Sequence, residues 1–120
     1  MDIKLSHIAF IDQGPRDHWS IRALVINGKS PAIDGLDLIR RHNRADWNKL
    51  LKVMRMQAES KDRLKDEKKV KKSSNKAHGE VYEMRADKGK SRLMFFFSEA
   101  DDAIIICTNT FSKGKGNQDT

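Results

Sequence analysis

The runs Glu80-Val-Tyr-Glu-Met-Arg-Ala86, Ser91-Arg-Leu-Met-Phe-Phe-Phe-Ser98 and Ala103-Ile-Ile-Ile-Cys-Thr-Asn-Thr-Phe111 follow one another with little between them. Each is rich in β-branched and aromatic residues, and the separating Asp87-Lys-Gly-Lys90 and Glu99-Ala-Asp-Asp102 have turn composition. Three strands of an antiparallel meander are the economical reading. Successive side chains of a strand point to opposite faces. Val81, Glu83 and Arg85 therefore share one face, with Tyr82 and Met84 on the other. Arg92 goes with Met94 and Phe96, opposite Leu93, Phe95 and Phe97. The uniformly apolar face suits a cover of helices, and the mixed face keeps the arginines. The last strand runs into Ser112-Lys-Gly-Lys-Gly116, so the sheet gathers Arg85, Arg92, Lys113 and Lys115 toward any ligand it faces.

Upstream of this block the helix signals are local. Ser30-Pro31 offers a capping hydroxyl followed by a proline that the first turn tolerates. Ile33, Leu36 and Ile39 then recur at helical spacing, with Gly35 as a weak point. Asn43 is a second cap, with Asp46 near the positive end of the helix it starts. Trp47, Leu50, Leu51, Met54 and Ala58 form one apolar stripe. That stripe is expected to pack on Phe95, Phe97, Ile104 or Ile106. Trp19 to Ile26, ended by Asn27-Gly28, reads as a strand, and Ile3 to Ile11 as a less regular one. Beyond Ser60 the stripe thins among lysines, and Ser73 to Gly79 reads as a polar connection. The expected fold class is α+β: N-terminal strands, two helices, then the meander, with the helices on one face.

At 120 residues the chain suits one domain, residues 1–120. Its formal charge of +7 favours an anionic partner. Residues 51–80 carry ten bases against five acids, whereas 81–120 carry six of each, so the excess sits on one segment. The single Cys107 excludes an internal disulfide, suits a reducing cytoplasm and reads as an apolar filler. No stretch reaches membrane-spanning length and the N-terminus lacks signal-peptide order, so no membrane partner is expected.

Tyr82-Glu-Met-Arg85, Ser91-Arg-Leu-Met-Phe-Phe-Phe97 and Phe111-Ser-Lys-Gly-Lys115, in this order, resemble the RelE/HigB-type toxin superfamily, most closely its phage-derived branch. The likeness covers roughly residues 19–120 and leaves 1–18 as an N-terminal extension. Gly114 departs from its pattern by displacing the second basic residue of the ending, and the closing helix of relatives is expected to be absent. The resemblance implies a type II toxin that cuts messenger RNA on the ribosome by metal-independent 2′-hydroxyl attack. It also implies a cognate antitoxin whose contact surface is acidic.

Under that reading Arg85 and Arg92 hold the scissile phosphate and Lys113 assists proton transfer or charge stabilisation, since forked guanidinium donors match phosphate oxygens. Lys68, Lys69, Lys71, Lys72, Lys90 and Lys115 would bind the RNA backbone. The bland readings are solvent-facing strand charge and a solvated helix end balanced by Asp62, Asp66 and Glu67. His78 is the imidazole nearest the sheet, in a loop. His7, His18 and His42 share no spacing with acids or cysteine, so neither a metal site nor a cofactor fingerprint is expected. Tyr82, Phe96 and Phe111 either stack on bases or fill the core. A non-catalytic nucleic-acid binder and a basic protein-interaction module are the alternatives to the enzyme.

Overall fold

The computed structural model describes residues 1–66, 68–74, 80–98 and 103–113. His78, Gly114, Lys115 and the chain end lie outside them, as does the whole turn segment 99–102. Among the described residues the elements are β1 (Ile3–His7), β2 (Ser20–Ile26), α1 (Pro31–His42), α2 (Arg44–Glu59), β3 (Val70–Ser74), β4 (Glu80–Arg85), β5 (Ser91–Phe97) and β6 (Ile104–Ser112). The fold is α+β, as expected. The six strands form one mixed sheet in the order β1-β2-β6-β5-β4-β3. β3 to β6 make an antiparallel meander, and β2 runs parallel to β6.

The caps form as their chemistry dictates. Ser30 Oγ accepts from the Ile33 amide, and Pro31 opens α1. Asn43 serves both helices: its amide closes α1 on the Ile39 carbonyl, and its Oδ1 accepts from the Asp46 amide. Ahead of α1, Asn27 and Gly28 both take positive φ, and Ile26 and Lys29 exchange backbone hydrogen bonds across them. Gly35 is needed where α1 crosses the sheet, because a Cβ there would collide with the Thr110 side chain.

Both helices pack on one face of the sheet. Leu36, Trp47, Leu50 and Met54 meet Ile21, Met84, Leu93, Phe95, Phe97, Ile105 and Cys107 in a single core. Leu51 is only partly buried at its margin. Ile105 and Cys107, rather than Ile104 and Ile106, face the helices. A register shift at Met94/Phe95 leaves Thr108 without a ladder partner, which resets the alternation along β6. Cys107 is fully buried, and burial pushes its thiol up to about 12, in keeping with the filler reading.

Two segments differ from expectation. The lysine-rich stretch read as a helix end and loop contains β3, which pairs with β4 through Val70 and Met84. Val70 is buried while Lys71 and Lys72 remain exposed, the composition that protects a sheet edge from further pairing. The segment expected as an extension supplies edge strand β1 and puts Ile8 and Ile11 in the core. Arg55 on α2 ties it down with bidentate bonds to Asp17 at 2.8 and 2.9 Å and another to the Asp12 carbonyl.

Candidate anion site on the open sheet face

Alternate strand residues turn away from the helices and form a second face. Arg85 and Arg92 stand directly opposite one another on it, across the β4–β5 ladder. Like charges so placed repel. Glu83, two residues before Arg85, moderates the repulsion: its Oε1 lies 3.4 Å from Arg85 Nε and 3.5 Å from Arg92 Nε. Glu83 is thus shared between the two guanidinium groups.

Arg92 is only 6% exposed. Its Nη1 donates to the Gly89 and Ser91 carbonyls, 3.0 Å each. Burial, then the neighbouring Arg85 cation, pushes its pKa down, while Glu83 and Asp46 act the other way. Beside the pair lies a pocket of about 260 Å³, lined by Lys68, Arg85, Ala86, Asp87, Lys88, Gly89 and Arg92. Such a volume falls below the ~300–1,000 Å³ of drug-sized sites and has room for a phosphate group. Its cations outnumber its single carboxylate, Asp87.

The turn that walls this pocket is held from the helix side. Asp46, buried in the first turn of α2, accepts from the Lys90 amide at 3.1 Å and the Ser91 amide at 2.9 Å. Burial opposes its ionisation, but bonds from the Ser91 hydroxyl and amide and the Lys90 amide, with the Lys49 charge, hold its pKa below the usual value. Gly89 lies so close that any Cβ would strike the Asp46 carboxylate, and Lys88 takes a positive φ of 64°. Asn43, Asp46, the turn and Arg92 thus form one chain of contacts from α2 to the pocket.

The predicted basic residues do not form one patch. Lys68 lines the pocket. Lys69 pairs with Asp66 at 3.0 Å, and its carbonyl accepts from the Arg85 amide. Lys71 stands opposite Glu83, on the open face, whereas Lys72 stands opposite Tyr82 on the helix side and binds Glu80 at 2.9 Å. A helix would have grouped the lysines, but strand alternation divides them. Lys90 and Lys113 sit at the pocket's end of the sheet, the Lys113 amide donating to the Lys90 carbonyl at 2.8 Å, but neither lines it.

Lys88 and Asp46 were missed as contributors. The Lys88-Gly89 turn pair was legible, but its place against the arginines follows from the ladder register. Among the described residues no group of acids, histidines or cysteine could hold a metal ion, and no helix is long and apolar enough to cross a membrane. No family model, curated protein or solved structure matches this chain, so the site is read from its own geometry.

Proposed function

We propose that this protein is an RNA-cleaving toxin of a toxin–antitoxin module: a ribosome-dependent messenger RNA endoribonuclease that grips the scissile phosphate between Arg85 and Arg92. The observation that carries this reading is the pair of guanidinium groups opposed across one ladder, at a pocket also lined by Lys68 and Lys88. Opposed like charges on neighbouring strands are destabilising, and an anion between them relieves the repulsion. The motif resemblance supports the same two arginines from the sequence side.

In this reaction the ribose 2′-oxygen bonds to phosphorus and the bond to the 5′-oxygen breaks, leaving a cyclic phosphate and a 5′-hydroxyl. The 2′-hydroxyl gives up a proton and the leaving oxygen receives one. Fixed arginines stabilise the charge that grows on the phosphoryl oxygens, and Lys113 assists proton transfer or charge stabilisation at the same end of the sheet. The cytoplasm is the proposed setting. The neutralising partner is an acidic protein that covers the open face, and its grip weakens as salt rises.

A non-catalytic RNA binder of the same architecture is the second reading, favoured by the burial of Arg92 and its two carbonyl bonds. Single-turnover cleavage of messenger RNA on saturating ribosomes separates the two. Arg92→Ala should slow cleavage more than it weakens binding, and Arg92→Lys should not restore the rate, because an ammonium lacks the planar fork. Cleavage by Arg92→Ala at the parental rate once bound would remove the catalytic assignment. Failure of the parent to cut RNA while binding it would favour the second reading.

A further inference from the structure

The two ends of the sheet are built differently. β3, at one end, presents exposed Lys71 and Lys72, whereas β1, at the other, presents Ile3 and Leu5. Among the described residues β1 pairs only with β2. Ile3 is 57% exposed and Leu5 37%, and Ile26, opposite Ile3 on β2, is 37% exposed, so three large apolar side chains share this corner of one face. The backbone shows which groups of β1 reach outward. The Asn27 amide donates to the Asp2 carbonyl at 2.7 Å, which makes Asp2 and Asn27 a hydrogen-bonded pair. Such pairs alternate along an antiparallel ladder. Lys4 and Ser6 therefore bond inward to β2, while the amides and carbonyls of Ile3, Leu5 and His7 point away from it. Ile26 agrees, because its amide and carbonyl are both taken by Lys29 on its other side.

We propose that β1 is a self-association edge, on which β1 of a second copy of this chain pairs antiparallel about a two-fold axis at Leu5, joining two six-stranded sheets into one. The proposal stands independently of the RNA reading. Register and charge select this occupant. With Leu5 opposite Leu5, Ile3 meets His7, every outward residue of both strands is paired, and about six hydrogen bonds form. Lys4 then stands opposite Ser6. Moving the axis to Lys4 would set the two Lys4 side chains directly against each other, and moving it to Ser6 would leave Ile3 without a strand partner. Either shift loses about two bonds. The His7 carbonyl accepts the Ser6 hydroxyl at 2.9 Å, and its second lone pair can take the new bond. Pairing β1 with β3 would be head-to-tail and open-ended, and would bring Lys4 to a strand carrying Lys71 and Lys72. The net charge of +7 opposes association of two copies. However, β5 lies three strand spacings from β1, which puts the two Arg92 backbones roughly 30 Å apart, well beyond the ~8 Å Debye length.

The test is sedimentation of the full chain over a concentration series, where a reversible species of twice the 13.8 kDa chain mass is expected. Leu5→Pro removes the outward amide at the axis and leaves the bonds to β2 in place, a change that an edge position tolerates. It should weaken the dimer by about 5- to 150-fold, the worth of two hydrogen bonds. Leu5→Lys puts two ammonium groups at the axis and should weaken it as well. Thermal unfolding checks that each variant is folded, and Leu5→Lys carries the test if the proline variant is not. Cross-linking reads the register. Oxidation of Leu5→Cys should give a disulfide-linked dimer, since directly opposed strand residues lie within bridging distance. Ile3→Cys, which meets His7, and Lys72→Cys, at the other end of the sheet, should not, and Cys107 is buried away from the exchange. A parent that stays monomeric throughout would overturn the proposal, and protection of the β1 amides from hydrogen exchange only when an acidic partner is bound would give the edge to that partner. A dimer unaffected by either folded variant, cross-linking at Lys72→Cys as efficient as at Leu5→Cys, or growth beyond two copies would overturn it equally.

Discussion

Arg85 illustrates how a single side chain's cost and use are related. It stands beside a second guanidinium, and Glu83 is shared between them. Arg85→Met keeps the aliphatic stem but removes the forked donors, so RNA affinity should fall at temperatures where the variant remains folded. Calorimetry beside RNA titration provides the check. Asp17 gives a second case. The Arg55 hydrogen bonds, working against partial burial, hold its carboxyl down at about 2 from an ordinary 3.8. A depressed acid contributes its stability above the unfolded value and loses it as pH falls through the folded one. Stability should therefore decline as pH drops from 3.8 toward about 2. Asp17→Asn should flatten that part of the profile, read from unfolding midpoints at successive pH values.

The β4–β5 turn carries its function through its attachment to α2. Asp46 binds two amides of the turn, and Gly89 leaves the carboxylate its space. Gly89→Ala forces the new methyl into Asp46, which is buried and has no easy exit. The expected loss is about 1–3 kcal/mol, the usual cost of overpacking. RNA affinity should fall as well, because the same turn places the Gly89 carbonyl against Arg92. Asp46→Asn should lower affinity in the same direction by weakening charge-assisted bonds. Denaturant melts paired with binding curves test both, and unaltered RNA affinity in a destabilised Gly89→Ala protein would detach the turn from the site. Within α2 itself, Leu50 is fully buried and Leu51 is not, so truncation at Leu50 is the costlier of the two.

Across the molecule, charge is distributed by the sheet. Single-stranded RNA binding should weaken with salt at a slope of about −0.7 per neutralised phosphate in log–log form. Replacing Lys68 and Lys71 by alanine should flatten the slope by roughly 0.7 for each phosphate that is no longer neutralised. Lys72→Ala should leave it unchanged, because that lysine faces the helix side and is paired with Glu80. Equal effects at Lys71 and Lys72, measured over a salt series, would show that both faces of β3 meet RNA.

Local chemistry explains why most elements were legible. Ser30-Pro31 and Asn43 mark helix starts within a few residues, and Trp47, Leu50 and Met54 repeat at one helical face. The runs ending at Arg85, Phe97 and Phe111 have the composition of strands. Arg85, Arg92 and the apolar face opposite them could be assigned from alternation alone. Contacts between distant segments decided the rest. β3 is a strand because β4 satisfies its backbone; among so many lysines, Val70 alone carries little pattern. The irregularity at Met94/Phe95 exchanges the faces of Ile104 to Cys107, and nothing local announces it. The parallel pairing of β2 with β6, and the anchoring of residues 8–19 by Arg55, join parts far apart in the chain. The arginine pair could be named in advance, but its opposition across the ladder depends on register. So does the hold of Asp46 on the turn. Periodicity reports which way a side chain points from its own backbone; what stands opposite is set by pairing energies summed over the whole sheet.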